Sequence, residues 1–257
     1  MLHTVAIFRY LQSVDNRPSP MTEIARALEM NQSTCFNILR TLASNGLLRY
    51  DEDTRRYSLG MALIEFASLV DSHGRLLASA QAHAERIARE ISQVCVIFRK
   101  TEDDSFLVIG KGEGRRSMRL TASLGDRFPP NGAVLAKSWY AWEAESEVDR
   151  LIELHGLPMR TPGSITAIAD FKDELRRTRQ RGFALSVGEY YDEHNAAGCP
   201  VFSPDGRCQL LLVITGFASA LPVEELSNLG RLLRAHADEI TSEVFGSGTL
   251  EPHRRTA

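Results

Sequence analysis

Between Asn31 and Gly46 the chain reads NQSTCFNILRTLASNG, a run whose polar residues recur at helical spacing. At about 100° per residue, Ser33, Asn37, Arg40 and Ser44 fall on one face, with Phe36 and Thr41 on its flanks, while Cys35, Ile38, Leu39 and Leu42 gather on the other. Base-pair edges in a DNA major groove present donor and acceptor patterns to side chains of this kind, and the groove admits one α-helix. Asn pairs bidentately with adenine, Arg with guanine, and Ser with a base or a phosphate. The Phe36 ring suits a thymine methyl, and Gln32 and Thr34 in the first turn can anchor phosphates together with backbone N–H groups. Thr22, at the start of the preceding helix, and Thr41 complete the candidates on the helices. Arg55 and Arg56 stand at the tip of the following hairpin, within reach of phosphate or a minor groove. A polar helix face alone is usually only solvated. This one gains weight as the third helix ahead of a two-stranded wing, the arrangement that enters DNA grooves.

Other chemistry fails on spacing. Gly110-Lys-Gly112-Glu-Gly114 is not GxGxxG and is expected to be a loop rather than a phosphate cradle, and there is no GxSxG, HExxH or GxxxxGK[ST]. Cys35, Cys95, Cys199 and Cys208 form no CxxC pair, and His194, Cys199 and Cys208 lack metal-ligand spacing. Reduced thiols packed as small apolar groups are expected, with no metal, no cofactor and no enzymatic activity. Lysine occurs only at Lys100, Lys111, Lys137 and Lys172, a bias that suggests no function.

The elements that must position the polar helix follow from local signals. A first helix, capped by Thr4, buries Ile7, Tyr10, Leu11 and Val14, and Arg17-Pro18-Ser19-Pro20 breaks it. A second opens at Thr22 with Glu23 favourable in its first turn and Ile24, Ala27 and Leu28 as its apolar positions. Asn45-Gly46 ends the third helix, and the stretches 47–50 and 57–60 read as strands around the tip DEDTRR. From about 61 to 92 the pattern is helical, and Leu76, Leu77, Ala80, Ala84, Ile87, Ala88 and Ile91 form an apolar stripe expected to pack against another chain or domain and so to make a dimer. Beyond it the texture is mixed: strands at 94–100, 105–111 and 117–123, helix over 132–155 and 167–181, a hairpin of 197–203 and 209–216 around Pro204-Asp205-Gly206, and a last helix over 222–244.

Composition bounds the rest. The 257 residues, 43% hydrophobic and 25% charged, allow two ordinary globular domains. The formal net charge of −3 argues against a general polyanion binder. The first 60 residues carry seven arginines against six acids, a weak surplus for DNA, which a dimer would offset by doubling its contacts. No run approaches the ~18 apolar residues of a membrane span, and the start lacks the pattern of a secretory signal. A cytoplasmic location follows as the expectation.

The run TEIARALEMNQSTCFNILRTLASNGLLRYDEDTRRYSLG resembles the N-terminal reader of the IclR family of bacterial transcriptional regulators. The matching features are the helix pair, Ser33-Thr34, Thr41-Leu42, Gly46-Leu47-Leu48 and Tyr57-Ser58-Leu59-Gly60. Arg181-Gly182-Phe183-Ala184, Glu189, Ala197 to Phe202 and Ile214-Thr215-Gly216 resemble the family's effector domain, so the likeness spans essentially the whole chain. It implies an α+β protein: a winged helix-turn-helix domain at 1–62, a linker helix at 63–75, and a GAF-like α/β effector-binding domain at 76–248. It further implies a double-stranded, pseudo-palindromic operator, a homodimer or dimer of dimers, and a small organic acid or aromatic effector. By the same similarity the pocket takes Asn131, Gly132, Ala133, Ser186, Glu189, His194, Ala196, Val213 and Thr215. Asn37 stands where the family often has arginine. Ala196 and Val213 stand where it often has polar or thiol side chains, which implies a less hydrophilic ligand. The alternative is a C-terminal domain that serves only oligomerisation or protein interaction, without a ligand.

Overall fold

The computed structural model describes residues 2–14, 16–70, 74–114 and 122–246, and the expected strand at 117–123 falls largely outside them. The chain divides between Gly74 and Arg75 into two compact units.

The N-terminal unit runs α1 (Leu2–Ser13), β1 (Ser19–Pro20), α2 (Met21–Ala27), α3 (Gln32–Ser44), β2 (Leu48–Asp51), β3 (Arg56–Leu59) and α4 (Ala62–Val70). Helix α1 already begins at Leu2, so Thr4 lies inside it and caps nothing; neither Leu2 nor His3 is a helix breaker. Helix α2 starts one residue before Thr22, directly behind the extended Pro20. Asn31 caps α3 by accepting the Ser33 N–H at 2.9 Å. Beyond Asn45 the chain needs the left-handed backbone of Gly46, at φ 69°. The strands pair in the order β1-β3-β2, all antiparallel. Ile7, Leu11, Ile24, Cys35, Leu39, Leu42, Leu48 and Tyr57 fill the core, with Ile38 only half-buried at its edge. Two polar ties fix the frame: Glu23 accepts from Tyr10 and Arg17, and the Asn16 side chain accepts the Leu59 N–H at 2.6 Å.

The C-terminal unit contains α5 (Gly74–Ile91), β4 (Val94–Lys100), β5 (Phe106–Gly112), β6 (Arg127–Phe128), α6 (Ala133–Tyr140), α7 (Glu145–His155), α8 (Ile168–Arg181), β7 (Ala184–Val187), β8 (His194–Phe202), β9 (Cys208–Phe217) and α9 (Val223–Phe245). Six strands form one antiparallel sheet, β6-β5-β4-β9-β8-β7. Alternation along β4, β8 and β9 divides the core. Cys95, Ile97, Ala197, Cys199, Leu212 and Ile214 face α5 and α9. Val94, Val96, Phe98, Ala196, Leu211 and Val213 face α6, α7 and α8.

Three expectations change here. The stripe of α5 does not wait for a partner: Leu76, Ala80, Ala84, Ile87 and Ala88 are buried in this unit's own core against the sheet and α9. The helical stretch 132–155 is two helices, because the chain turns at Ala141 and is extended at Ala144 before α7 begins. Gly110 and Gly112 lie within β5, not in a loop; a Cβ on Gly112 would come to 2.2 Å from the Ala84 carbonyl oxygen of α5. No helix among the described residues is long and apolar enough to cross a membrane.

Candidate functional site

In the N-terminal unit Cys35, Leu39 and Leu42 turn inward, and this leaves the opposite side of α3 bare. Thr22, Gln32, Ser33, Thr34, Phe36, Asn37, Arg40 and Thr41 are all exposed. The Arg40 guanidinium lies 5.7 Å from the Phe36 ring centroid, a cation–π contact that aligns two of these side chains. Thr41 donates to the Asn37 carbonyl at 2.9 Å, and the Ser33 hydroxyl donates to Asn31 at 2.7 Å.

In the wing, Asp51 accepts the Thr54 N–H at 2.9 Å, and the tip turns back through Arg55 at φ 53°. The two tip arginines differ. Arg55 is exposed, whereas Arg56, also exposed, donates from Nη1 to the Pro18 carbonyl at 2.9 Å and ties β3 to the chain before β1.

In the C-terminal unit Ser186, Ala196, Thr215 and Val94 stand in direct register across β7, β8, β9 and β4, on the face covered by α6. Val213 lies two residues along the same face, opposite Gly198. A Cβ on Gly198 would meet Ser138 Oγ of α6 at 2.3 Å, so the missing side chain sets how closely the helix approaches. Gly132 is the N-cap of α6 and Ala133 its first residue.

Lys137, one turn on from Ala133, was not singled out by the sequence. It is buried, donates to the Leu185 carbonyl of β7, and pairs with Glu189 Oε1 at 2.5 Å. An ammonium so enclosed needs its partners, since desolvating an unpaired charge costs several kcal/mol.

The loop between α7 and α8 closes over this pair. Thr161 donates to the Gly188 carbonyl at 2.5 Å and Ser164 to the Glu189 carbonyl at 2.8 Å. Arg160 stacks 4.6 Å from the Tyr190 centroid and donates to Asn131 Oδ1 at 3.3 Å, while Asn131 Nδ2 donates to the His155 carbonyl at 2.8 Å. A cavity of about 30 Å³ remains, bordered by Asn131, Ala133, Arg160, Ser164, Phe171 and Glu189 among others.

His194 is set apart from this cavity. Its ring packs 4.4 Å from Phe217 and 5.4 Å from Tyr191, and both ring nitrogens are buried without a hydrogen bond. Thus Asn131, Ala133 and Glu189 share the cavity, Ser186, Ala196, Val213 and Thr215 share the sheet face, and Lys137 joins the two groups. Arg160, Thr161 and Ser164 carry no periodic signal in the sequence, and only the fold brings them to the site.

A helix-turn-helix unit with a wing, followed by a curled α/β sensor-type domain, defines a class of protein that reads DNA. The comparisons agree. Residues 3–52 match the IclR helix-turn-helix domain, and residues 68–242 match the family described as bacterial transcriptional regulator IclR C-terminal. The HTH-type transcriptional regulator XynR of Escherichia coli is 23% identical over 83% of this chain and 84% of its own length. The E. coli regulator KdgR is 22% identical over 93% and 90%. An IclR-type regulator from Alicyclobacillus acidocaldarius superposes with a TM-score of 0.79 at 28% identity, covering 94% of this chain and 97% of that one. A homologue from Microbacterium hydrocarbonoxydans, solved with 4-hydroxybenzoate, has the same fold, with a TM-score of 0.81 at 19% identity over 94% and 97%.

The chain belongs to the IclR family of bacterial transcriptional regulators. It is a DNA-binding transcriptional regulator.

Proposed function

We propose that the protein binds a pseudo-palindromic operator as a homodimer or dimer of dimers in the cytoplasm, and that a small carboxylic acid, aliphatic or aromatic, modulates that binding. Asn37, Arg40 and Ser33 read base edges, Phe36 presses on a thymine methyl, and Thr22, Gln32, Thr34 and Thr41 hold phosphates. At the wing the phosphate or minor-groove contact falls to Arg55, because Arg56 is engaged with Pro18. The exposed Met61, Ile64 and Phe66 around α4 support association, since the apolar stripe of α5 is spent within its own unit.

The observation that carries the effector reading is the buried Lys137–Glu189 pair beneath the loop between α7 and α8, where Arg160 meets Asn131. Glu189 is an internal carboxylate on a buried ammonium, so an effector carboxylate would compete for the same cation. The sheet row of Ser186, Ala196 and Thr215, with Val213 beside it, would meet the ligand's body: apolar at two positions, hydroxyl-bearing at the other two. This mix of apolar walls and few converging polar groups is usual for ligand clefts. Gly132 sets the start of α6, and His194 closes the end of the sheet face.

The test is a thermal-shift screen of small aliphatic and aromatic carboxylic acids against the full chain and Lys137→Met, because a ligand of the native state raises stability. An acid that stabilises the wild type and not the variant is the expected result. Acids that stabilise both alike would remove Lys137 from the reading. No stabilising compound at all would favour a domain that only associates.

A further inference from the structure

On the sheet face opposite the effector site, α5 and α9 meet at a polar cluster set into an apolar layer of Ala80, Ala84, Ile87, Leu233, Ala237 and Ile240. His83 of α5 is 1% exposed and His236 of α9 is 7% exposed. Their Nδ1 atoms face each other at 2.7 Å. Glu239, one turn beyond His236, brings Oε2 to 3.8 Å from His83 Nδ1 and keeps half its side chain in solvent. Ligand atoms of His83, His236 and Glu239 all lie within 4.8 Å of one another. Burying two imidazoles nitrogen to nitrogen costs desolvation that two aliphatic side chains would avoid. Two neutral imidazoles converging with one carboxylate are a donor set that borderline divalent metals accept.

We propose that His83 Nδ1, His236 Nδ1 and a Glu239 carboxylate oxygen form a binding site for one divalent transition-metal ion, zinc being the best match, with water completing a tetrahedron from the solvent side. The outer support is in place. His83 Nε2 lies 3.3 Å from Glu243 Oε1, and Glu243 Oε2 accepts from Ser79 Oγ at 2.6 Å. A carboxylate behind a ligating imidazole fixes its tautomer and orientation. With the Nε2 proton donated to Glu243, His83 Nδ1 is an acceptor, and the proton between the two rings sits on His236 Nδ1. The ion takes the place of that proton, which shifts to His236 Nε2, so that His236 binds as its Nε2–H tautomer and the ring keeps its one proton.

Tetrahedral ligands at zinc lie about 3.3 Å apart. The 2.7 Å contact therefore opens by roughly half an ångström and the 3.8 Å one closes by as much. Arg86 opposes the ion. Its Nη2 sits 3.0 and 2.9 Å from the two His83 ring nitrogens and 3.4 Å from Glu239. It is the positive charge the cluster holds without metal, and, half exposed, it has room to swing into solvent. The ion then clasps the first helix of this unit to its last.

The experiment is calorimetry of zinc chloride into the full, chelator-stripped chain, with cobalt(II) absorption and thermal melting alongside. The expected result is one zinc per chain, the visible bands of four-coordinate cobalt, and a rise in Tm that EDTA reverses. Glu239→Gln changes an exposed side chain, so its fold is expected to persist, with zinc affinity at least tenfold weaker. His236→Gln should lose the cobalt bands, and Arg86→Ala should bind more tightly. Circular dichroism checks each fold, and Glu239→Gln decides alone if His236→Gln does not fold. Absence of zinc binding by the wild type overturns the proposal. So does zinc uptake undiminished in Glu239→Gln, which would place the ion elsewhere, at the thiols for example.

Discussion

Lys137 Nζ lies 2.5 Å from Glu189 Oε1, and the two side chains keep only 2% and 11% of their exposure. One belongs to the helix over the sheet and the other to the turn after β7, so this pair fixes the distance between roof and rim of the candidate cleft. Removing one member leaves the other charge buried and alone, which typically costs about 3–5 kcal/mol. Glu189→Ala is therefore expected to lower the unfolding free energy by about that much in urea. The double variant Lys137→Met, Glu189→Leu should recover most of the loss. A Glu189→Ala protein as stable as the wild type would show the pair to be solvated.

Gly198 is where α6 comes closest to the sheet, with Ser138 Oγ 2.3 Å from the position of a Cβ. Gly198→Ala forces the helix outward and should cost about 1–3 kcal/mol by overpacking. Because Lys137 rides on α6, the same change should weaken effector binding while leaving affinity for operator DNA without effector unchanged. Equal effector affinity in both proteins, by calorimetry, would mean that α6 does not position the site.

Thr215 is, with Ser186, one of the two hydroxyl-bearing members of the sheet row Ser186–Ala196–Thr215–Val94. If its hydroxyl meets the ligand, Thr215→Val weakens effector binding by about 1 kcal/mol or more through the lost hydrogen bond. Unchanged affinity would mean that the hydroxyl serves only the strand.

The wing carries a pH dependence of defined sign. Asp51 is held below its ordinary pKa chiefly by the Thr54 backbone N–H, with the Thr54 side chain and Arg49 adding to it. A carboxyl whose folded pKa is depressed stabilises above its unfolded value, about 3.9, and that stabilisation is lost as pH falls through the folded value. Hydrogen exchange at the Thr54 amide, corrected for intrinsic rate, should thus speed up on going from pH 6 to pH 3, and Asp51→Asn should abolish the change. Protection that stays constant across this range would remove Asp51 from the turn.

The sequence revealed most where a period exists. The exposed polar face of α3 was legible because Cys35, Leu39 and Leu42 repeat at helical spacing, and whatever lies opposite a buried stripe must be exposed. The stripe of α5 was equally visible, but an amphipathic pattern says only that a face is buried, never against what; here it is the unit's own sheet. Lys137 was hidden because a lone lysine in AVLAKSWY reads as a solvated side chain, and its burial depends on Leu185 and Glu189, about 50 residues away. Arg160, Thr161 and Ser164 sit on a loop without periodicity. The two histidines at the α5–α9 contact are 153 residues apart and meet only once both helices lie on the sheet.

The central claim, that α3 reads DNA sequence through Asn37 and its neighbours while the wing contributes charge, is tested by measuring one set of affinities. Duplexes selected from a random pool by the wild type are titrated, beside an unselected duplex, with wild type, Asn37→Ala and Arg55→Ala over a range of salt. Asn37→Ala is expected to lose about 1–3 kcal/mol on the selected site and little on the unselected one. Arg55→Ala should weaken both alike and flatten the salt dependence. If Asn37→Ala binds the selected site as tightly as the wild type, the exposed face of α3 is not the reader.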